Sequence, residues 1–212
     1  MFELIRSRLL YCWLELIKPL QDADFQTIES ERVVFLVSGF GASSGSMRAL
    51  KKYLEEQGYA VRLFGKKKQF KSPEKYAAKL QKEIQACPAK DIAIFAHSMG
   101  GMIAVLALAD PTTLAKVRRV VTSATPWQGC WQGTIFVWSA ARACLRRDPA
   151  ANWDISDDLK AKMRVLIPRW DDIIWERARQ ELPGVDTTIL PCGGHVLLTY
   201  RPAYSHILKA LR

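Results

Sequence analysis

The stretch IAIFAHSMGGMIAVLALA, residues 92–109, joins two strongly apolar runs through a short segment that contains a serine and two glycines. The first run is short and rich in isoleucine and phenylalanine, which is typical of a buried strand. The second run is rich in alanine, leucine and methionine, which favour a helix. A chain that turns this sharply from a buried strand into a buried helix is expected to pack helices against a largely parallel sheet.

The same alternation of apolar runs and helical segments continues along the chain. Helices are predicted at residues 44–57, from Ser72 onward, at 99–109 and at about 197–211, and the Ser72 hydroxyl is expected to cap its helix. Six strands separated by helices require crossover connections, so we expect an α/β fold: a mainly parallel sheet with helices on both faces. The predicted strands are RVVFLV, YAVRLFG, DIAIFA, RRVVTSA, MRVLIP and DTTIL.

Residues 1–22 are expected to form a separate amphipathic helix ahead of this domain. Apolar residues recur there every three or four positions, while charged residues interrupt any longer apolar run. Neither a signal peptide nor a membrane span is therefore expected. Two roles stay open for this helix: it docks on the domain, or residues 1–20 make peripheral contact with a membrane surface.

The domain is expected to span residues 32–212, and one connection within it is unusually long. Residues 127–160 lie between the fourth and fifth strands and carry four tryptophans, among them Trp127 and Trp131. Connections in α/β units are normally much shorter. We interpret this segment as a cap-like insertion over a ligand site, with ordinary apolar packing as the alternative.

Charge and cysteine content limit the partners. The net charge is +10, with its densest run in KKKQFK at residues 66–71. No motif that reads a nucleic-acid groove accompanies this charge, so we expect no nucleic-acid partner. Five cysteines without a CxxC pair give no support for a metal site, and no cofactor is expected. An odd cysteine count fits a reducing compartment, which predicts a cytoplasmic protein.

Ser98 lies at the turn between the third strand and its helix. In open α/β sheets, ligands bind beyond the carboxyl ends of the strands, which makes this serine a candidate nucleophile. A serine held on a sharp strand-to-helix turn needs small residues two positions before and after it, and Ala96 and Gly100 stand there. The helix that follows directs its positive end, including the Met99 N–H, towards the serine hydroxyl.

The glycine-rich loop after the first strand reaches the same edge of the sheet. Gly39 and Gly41 allow a tight turn that directs an N–H, expected to be that of Phe40, towards Ser98. Two such N–H groups, from Phe40 and Met99, are what a developing oxyanion requires. A plain turn is the alternative for this loop.

His195 is the candidate base, because it follows the sixth strand and two glycines in LPCGGHVLL. Two other histidines are less suitable: His97 is expected to point away from Ser98, and His206 belongs to the last helix.

An acid that orients the base is expected at the end of the fifth strand, in IPRWDDII. Asp171 is favoured over its neighbour Asp172, and one of the two is expected to cap the next segment instead.

Several of these motifs resemble those of the α/β-hydrolase superfamily over residues 32–212. AHSMGG is similar to its GHSMGG elbow, SGFGAS to its oxyanion loop, and GGHVLL to the turn that bears its histidine. RWDDII resembles the turn that bears the acid, which favours Asp171. VVTSATPWQG resembles a segment of lipases that usually reads TPHxG. The chain departs from the pattern at Ala96, Ser38 and Trp127, where the family usually has glycine, histidine and histidine.

The resemblance implies a lipase-like or esterase-like serine hydrolase with a triad of Ser98, Asp171 and His195. Gly39, Trp127 and Trp131 are then expected to contact the substrate, a small-molecule or lipid ester with an apolar acyl group. An acyltransferase or thioesterase that uses the same triad is an alternative. A non-catalytic protein that binds a lipid or a partner is another.

Overall fold

The computed structural model describes residues 31–65, 69–130, 153–196 and 201–212. Strands and helices alternate along these residues as the sequence predicts. The strands are β1 (Arg32–Val37), β2 (Ala60–Phe64), β3 (Asp91–His97), β4 (Val117–Ser123), β5 (Met163–Pro168) and β6 (Asp186–Leu190). The helices are α1 (Arg48–Glu56), α2 (Pro73–Ala86), α3 (Met99–Ala107), α4 (Pro111–Lys116), α5 (Asp157–Lys162) and α6 (Arg201–Leu211).

All six strands pair in parallel in a single sheet, in the order β2-β1-β3-β4-β5-β6. From β1, which lies inside the sheet, the chain passes outward to β2 at one edge and then returns to add β3, β4, β5 and β6 on the other side. This is the doubly wound arrangement that the sequence predicts.

Helices cover both faces of the sheet, and each face has its own core. On one face α2, α3, α4 and α5 pack against the strands, with Leu80, Ile103 and Leu159 among the buried side chains. On the other face α1 and α6 do the same, with Leu54 and Ile207 buried. Both faces of the sheet are covered at its centre, which explains why β1, β3 and β5 are almost continuously apolar, whereas the edge strand β6 is mostly exposed.

The carboxyl ends of the central strands lie at one edge of the sheet. His97 at the end of β3 is in register with Ser123 at the end of β4, and Pro168 of β5 is in register with Leu190 of β6. The loops that follow β1, β3, β5 and β6 therefore meet at this edge, which we call the site edge.

Two local details differ from the prediction. Ser72 is at the N-cap of α2, but its side chain makes no capping hydrogen bond, so Pro73 and the acidic Glu74 are the start signals that operate. The helix predicted at 44–57 opens with a 3-10 turn, Ser44–Met47, before α1 begins. None of the helices in the described ranges is long and apolar enough to cross a membrane.

The predicted N-terminal helix (1–22) and the central part of the predicted insertion, including Trp131, lie outside the described residues. The described ends of the insertion belong to the main core. Trp127, Cys130 and Ile155 are all buried there, together with Leu159 of α5.

Candidate active site

Ser98 occupies the turn between β3 and α3 in a backbone conformation that few residues adopt. Its φ is 55° and its ψ is −129°, so a residue with a side chain stands where glycine is normally preferred. Such a conformation costs on the order of 1–3 kcal/mol and persists only when the surroundings hold it. Here the Ser98 N–H donates to the Ser123 carbonyl at 2.8 Å, and the Ser98 carbonyl accepts from the Gly101 N–H at 3.0 Å.

The small residues around Ser98 are required by close packing. A Cβ on Gly100 would collide with the main-chain oxygens of Val37 and Ser38, at the end of β1. A Cβ on Gly101 would collide with the Thr125 side chain. The turn is therefore held tightly between the end of β1 and the loop that follows β4, which confirms the steric reason for a small residue at position 100.

The structure brings His195 within hydrogen-bond distance of the serine. His195 Nε2 lies 3.0 Å from Ser98 Oγ. Its other ring nitrogen, Nδ1, lies 3.0 Å from Asp171 Oδ2 and 3.1 Å from Oδ1. The loop that carries His195 is fixed to the loop after β5, because the Gly194 N–H donates to the Trp170 carbonyl at 2.8 Å. A proton on Nδ1 thus leaves Nε2 free to accept the serine proton.

The Asp171 carboxylate is buried and has several donors besides the imidazole. Oδ1 accepts from the Ile173 and Ile174 N–H groups at 2.8 and 2.7 Å, and Oδ2 accepts from Gln180 Nε2 at 3.1 Å. Burial acts to raise the pKa of Asp171, but the His195 charge and hydrogen bond, with the two backbone N–H groups, outweigh it and lower the pKa. The acid is therefore held ionised.

Both aspartates contact His195, by different routes. Asp172 Oδ1 accepts a hydrogen bond from the His195 main-chain N–H at 2.7 Å, while Asp171 contacts the ring. The expected division, in which one aspartate caps and the other serves the histidine, is wrong. Asp171 caps the backbone and orients the ring, and Asp172 holds the main chain of the same histidine.

His97 also belongs to this cluster, a contact that the sequence did not indicate. Its Nε2–H donates to the His195 carbonyl at 2.6 Å, and the two ring centroids are 4.9 Å apart. Burial, followed by the proximity of His195, lowers the pKa of His97 to about 3. His97 is therefore neutral and keeps its proton on Nε2. His206 lies in α6.

The loop after β1 presses against the serine. A Cβ on Gly39 would lie 2.7 Å from Ser98 Cβ and 3.2 Å from Ser98 Oγ, so only glycine allows this approach. Gly41 has a φ of 67° and donates its N–H to the Gln69 carbonyl at 2.9 Å. Phe40 lies between these glycines, and the buried Met99 opens α3 on the other side of Ser98. Phe40 and Met99 are the two residues expected to supply oxyanion N–H groups. Phe40 directly follows Gly39 in the sequence, and Met99 directly follows Ser98.

The comparison with protein families identifies the family of this chain. A family model described as serine aminopeptidase, S33 (Hydrolase_4) matches residues 28–164, well over half of the chain. The chain belongs to this α/β-hydrolase family. No curated protein sequence matches it.

Solved α/β-hydrolase structures resemble the S33-family chain in fold. A metagenomic carboxyl esterase superposes with a TM-score of 0.68 at 16% identity, over 90% of this chain and 78% of that one. The mature lipase BlEst2 of Bacillus licheniformis gives 0.66 at 14% identity, over 92% and 96%. The methylesterase MES16 of Arabidopsis gives 0.61 at 13% identity, over 84% and 98%. At such identities the likeness establishes the α/β-hydrolase fold.

This α/β-hydrolase holds the glycine loop after β1 through a glutamine. Ser38 stands where the family motif usually has histidine, and its Oγ accepts from Gln69 Nε2 at 2.9 Å. Gln69 is fully buried, and its main chain pairs with Gly41 and Ala42. A single residue from the loop after β2 therefore fixes both the start and the middle of the glycine loop.

The residues predicted to contact substrate lie in different surroundings in this α/β-hydrolase. Gly39 is against Ser98, as described above. Trp127 is 2% exposed and packs edge-on against Trp153 with ring centroids 5.6 Å apart, so its indole is part of the core. Trp131 lies outside the described residues.

Exposed aromatic side chains flank the site edge on two sides. Phe70 is 36% exposed, contacts the Phe40 ring at a centroid distance of 5.6 Å, and lies beside the glycine loop. Trp170 is 46% exposed and packs against Gly193, two residues before His195. Apolar surface is thus available beside the glycine loop and beside the loop that carries His195.

Proposed function

We propose that this protein is a serine hydrolase that cleaves a carboxylic ester through an acyl-enzyme intermediate. One observation carries the proposal: His195 is hydrogen-bonded to Ser98 Oγ through Nε2 and to Asp171 through Nδ1. A serine hydroxyl is a weak nucleophile until a base takes its proton, and this arrangement provides that base in the required tautomer.

In the proposed reaction Ser98 Oγ attacks the acyl carbon while its proton passes to His195 Nε2. The N–H groups of Phe40 and Met99 are proposed to bind the oxyanion. The C–O bond to the leaving alcohol then breaks, and the alcohol takes the proton from Nε2. Water attacks the acyl-enzyme by the same route and regenerates Ser98. Asp171 stays ionised throughout and stabilises the imidazolium.

The substrate is proposed to be an ester with an apolar, lipid-like acyl group. The structural neighbours described as a carboxyl esterase, a lipase and a methylesterase support an ester rather than an amide. Phe70 offers apolar surface beside the glycine loop, and Trp170 offers it beside the loop that carries His195. Burial of an acyl chain against such surface contributes about 0.8 kcal/mol per methylene group.

The test is hydrolysis of p-nitrophenyl esters from acetate to palmitate, with Ser98→Ala beside the wild type. Loss of the nucleophile is expected to reduce kcat by about 10⁴-fold or more. Ser72→Ala is the matched control, because the Ser72 side chain makes no capping hydrogen bond, and it should retain full activity. A fluorophosphonate probe should label the wild type and the control but not Ser98→Ala.

The same experiment separates the alternatives. Faster product formation when an alcohol acceptor is added would favour an acyltransferase, and preference for an acyl thioester would favour a thioesterase. Cleavage of aminoacyl p-nitroanilides in place of esters would indicate a peptidase. A wild type that is inactive on every ester and is not labelled at Ser98 would overturn the proposal in favour of a binding protein.

A further inference from the structure

A cavity of about 400 Å³ opens at the end of the sheet opposite to Ser98. Arg119 lies near the start of β4, in register with Ala93, whereas Ser123 at the end of β4 is in register with His97. Four residues of strand separate the two ends, which corresponds to about 13 Å. The cavity lies between α4 and α5, and its lining residues are Pro111, Leu114, Ala115, Arg118, Arg119, Asp158, Ala161 and Lys162.

Arg119 is the unusual member of this lining. Its Nε is buried and has no hydrogen-bond partner. Within the described part of the chain, its guanidinium forms neither a hydrogen bond nor an ion pair. Burial, followed by the nearby charges of Arg164 and Arg118, lowers the pKa of Arg119, while the charge of Asp186 acts in the opposite direction. The residue as a whole is partly exposed, so an anion in the cavity can approach its guanidinium and supply the partner that the buried Nε lacks.

The other cations of the cavity are held in place by the protein itself. Arg118 donates to Asp91 through Nε and to the Leu211 and Arg212 carbonyls through its other nitrogens. Lys162 Nζ donates to the Leu114 carbonyl at 2.9 Å, which leaves two of its three N–H donors for a ligand. Arg118 therefore contributes charge, while Arg119 and Lys162 contribute donors.

Most of the remaining lining is apolar, and the carboxylate in it, Asp158, belongs to an exposed residue. The volume is within the range of small-molecule sites and is much larger than one inorganic anion needs. A guanidinium group can donate two parallel hydrogen bonds to two oxygens of one phosphate. Several cations around one pocket also favour a ligand group with two negative charges, such as a phosphate monoester.

We propose that this cavity is a second binding site, separate from the serine, for a small organic phosphate. The phosphate group contacts Arg119 and Lys162, and the organic part packs against Leu114 and Pro111. The same phosphate chemistry is available from a soluble phosphate ester and from a phospholipid headgroup, and the experiment below distinguishes these sources.

The first measurement is the melting temperature of the full chain in inorganic phosphate or glycerol 3-phosphate, against chloride at equal ionic strength. A ligand that binds only the folded state should raise Tm by a few degrees once its concentration exceeds Kd. Arg119→Gln should abolish this rise, and Lys162→Gln should reduce it. The matched control is Lys79→Gln, a change at an exposed position of α2, which should retain the full rise.

A second measurement is co-sedimentation with phosphatidylcholine vesicles that contain phosphatidic acid. Arg119-dependent vesicle binding without a Tm rise in soluble phosphates would identify a headgroup as the source, and a Tm rise in glycerol 3-phosphate would identify a soluble ester. Without ligand, Arg119→Gln should melt close to the wild type, because the guanidinium that it removes makes no hydrogen bond or ion pair within the described residues. No phosphate-specific rise and no Arg119-dependent vesicle binding would overturn the proposal. Ser98→Ala should keep the rise, which separates this site from the proposed hydrolase activity.

Discussion

His97 donates a hydrogen bond from Nε2 to the main-chain carbonyl of His195, over 2.6 Å. The main-chain N–H of His195 is held at the same time by Asp172. The two polar groups of the His195 backbone are thus fixed by the residue directly before Ser98 and the residue directly after Asp171. His97 is next to the proposed nucleophile and Asp172 is next to the proposed acid, and both hold the main chain of the proposed base. The loops after β3, β5 and β6 are therefore joined through His195.

Replacement of His97 by leucine should lower activity although His97 does not contact Ser98 Oγ. Leucine has similar bulk but no donor, which leaves the His195 carbonyl unpaired and the imidazole free to shift. Small misplacement of a catalytic group costs about 10- to 100-fold in kcat. His97→Gln is the matched variant, because its amide can donate from the same position and should retain activity within a few-fold. Steady-state kinetics on a p-nitrophenyl ester measures both; equal rates for the two variants would contradict a positioning role.

His97 should also make the protein sensitive to acid. Because its pKa falls from 6.5 to about 3 on folding, the unfolded chain binds a proton that the folded protein cannot between these values. The free energy of unfolding should therefore decrease as the pH falls through this window, by up to about 1.4 kcal/mol per pH unit. Above pH 6.5 the residue contributes no pH dependence.

Urea unfolding of the wild type and His97→Gln from about pH 7 to about pH 4 tests this. The wild type should lose stability more steeply than the variant. The lowered pKa of Asp171 adds acid sensitivity to both proteins and cancels in the difference. Parallel curves for the two proteins would show that His97 titrates normally in the folded state.

The two adjacent aspartates should differ strongly in their effect on activity. Asp171→Asn removes the charge that stabilises the imidazolium and favours the wrong tautomer, so kcat should fall by about 10⁴-fold. Asp172→Asn keeps an oxygen that can accept the His195 N–H, so the loss should be about 10-fold or less. Both changes are isosteric, which makes each the control for the other. A larger loss of kcat for Asp172→Asn than for Asp171→Asn would identify Asp172 as the acid that serves His195.

Most of the fold could be predicted from the sequence because the central strands are largely buried on both faces, although β6 at the edge is mostly exposed. MRVLIP and DTTIL coincide with β5 and β6 at every residue, since an apolar or β-branched run bounded by turn residues leaves little choice of boundary. The position of Ser98 follows from the same logic, because a turn between a buried strand and a buried helix needs residues of a particular size. These features depend on local sequence alone.

The contacts that position the site depend on residues far apart in sequence. His97 meets the His195 carbonyl across 98 positions, and Gln69 meets Ser38 across 31. Gln69 follows a basic run and belongs to no periodic pattern, so nothing in the sequence marks it. The sequence favours Asp171 over Asp172 mainly through the family resemblance, because adjacent residues share the same strand end and position alone does not distinguish them. Only the direction of each side chain, set by the folded loop, assigns them to the ring and to the backbone.

Gln69 should be needed for activity because it holds the glycine loop that lies against Ser98. Gln69→Ala removes the hydrogen bond to Ser38 Oγ and frees the loop that carries Gly39 and Phe40. If Phe40 supplies an oxyanion donor, its displacement should lower kcat by up to about 10²–10³-fold with little change in KM. Gln57→Ala, at an exposed position after α1, is the matched control and should leave both constants unchanged. A rise in KM at constant kcat would show instead that Gln69 shapes substrate binding and leaves the oxyanion donors in place.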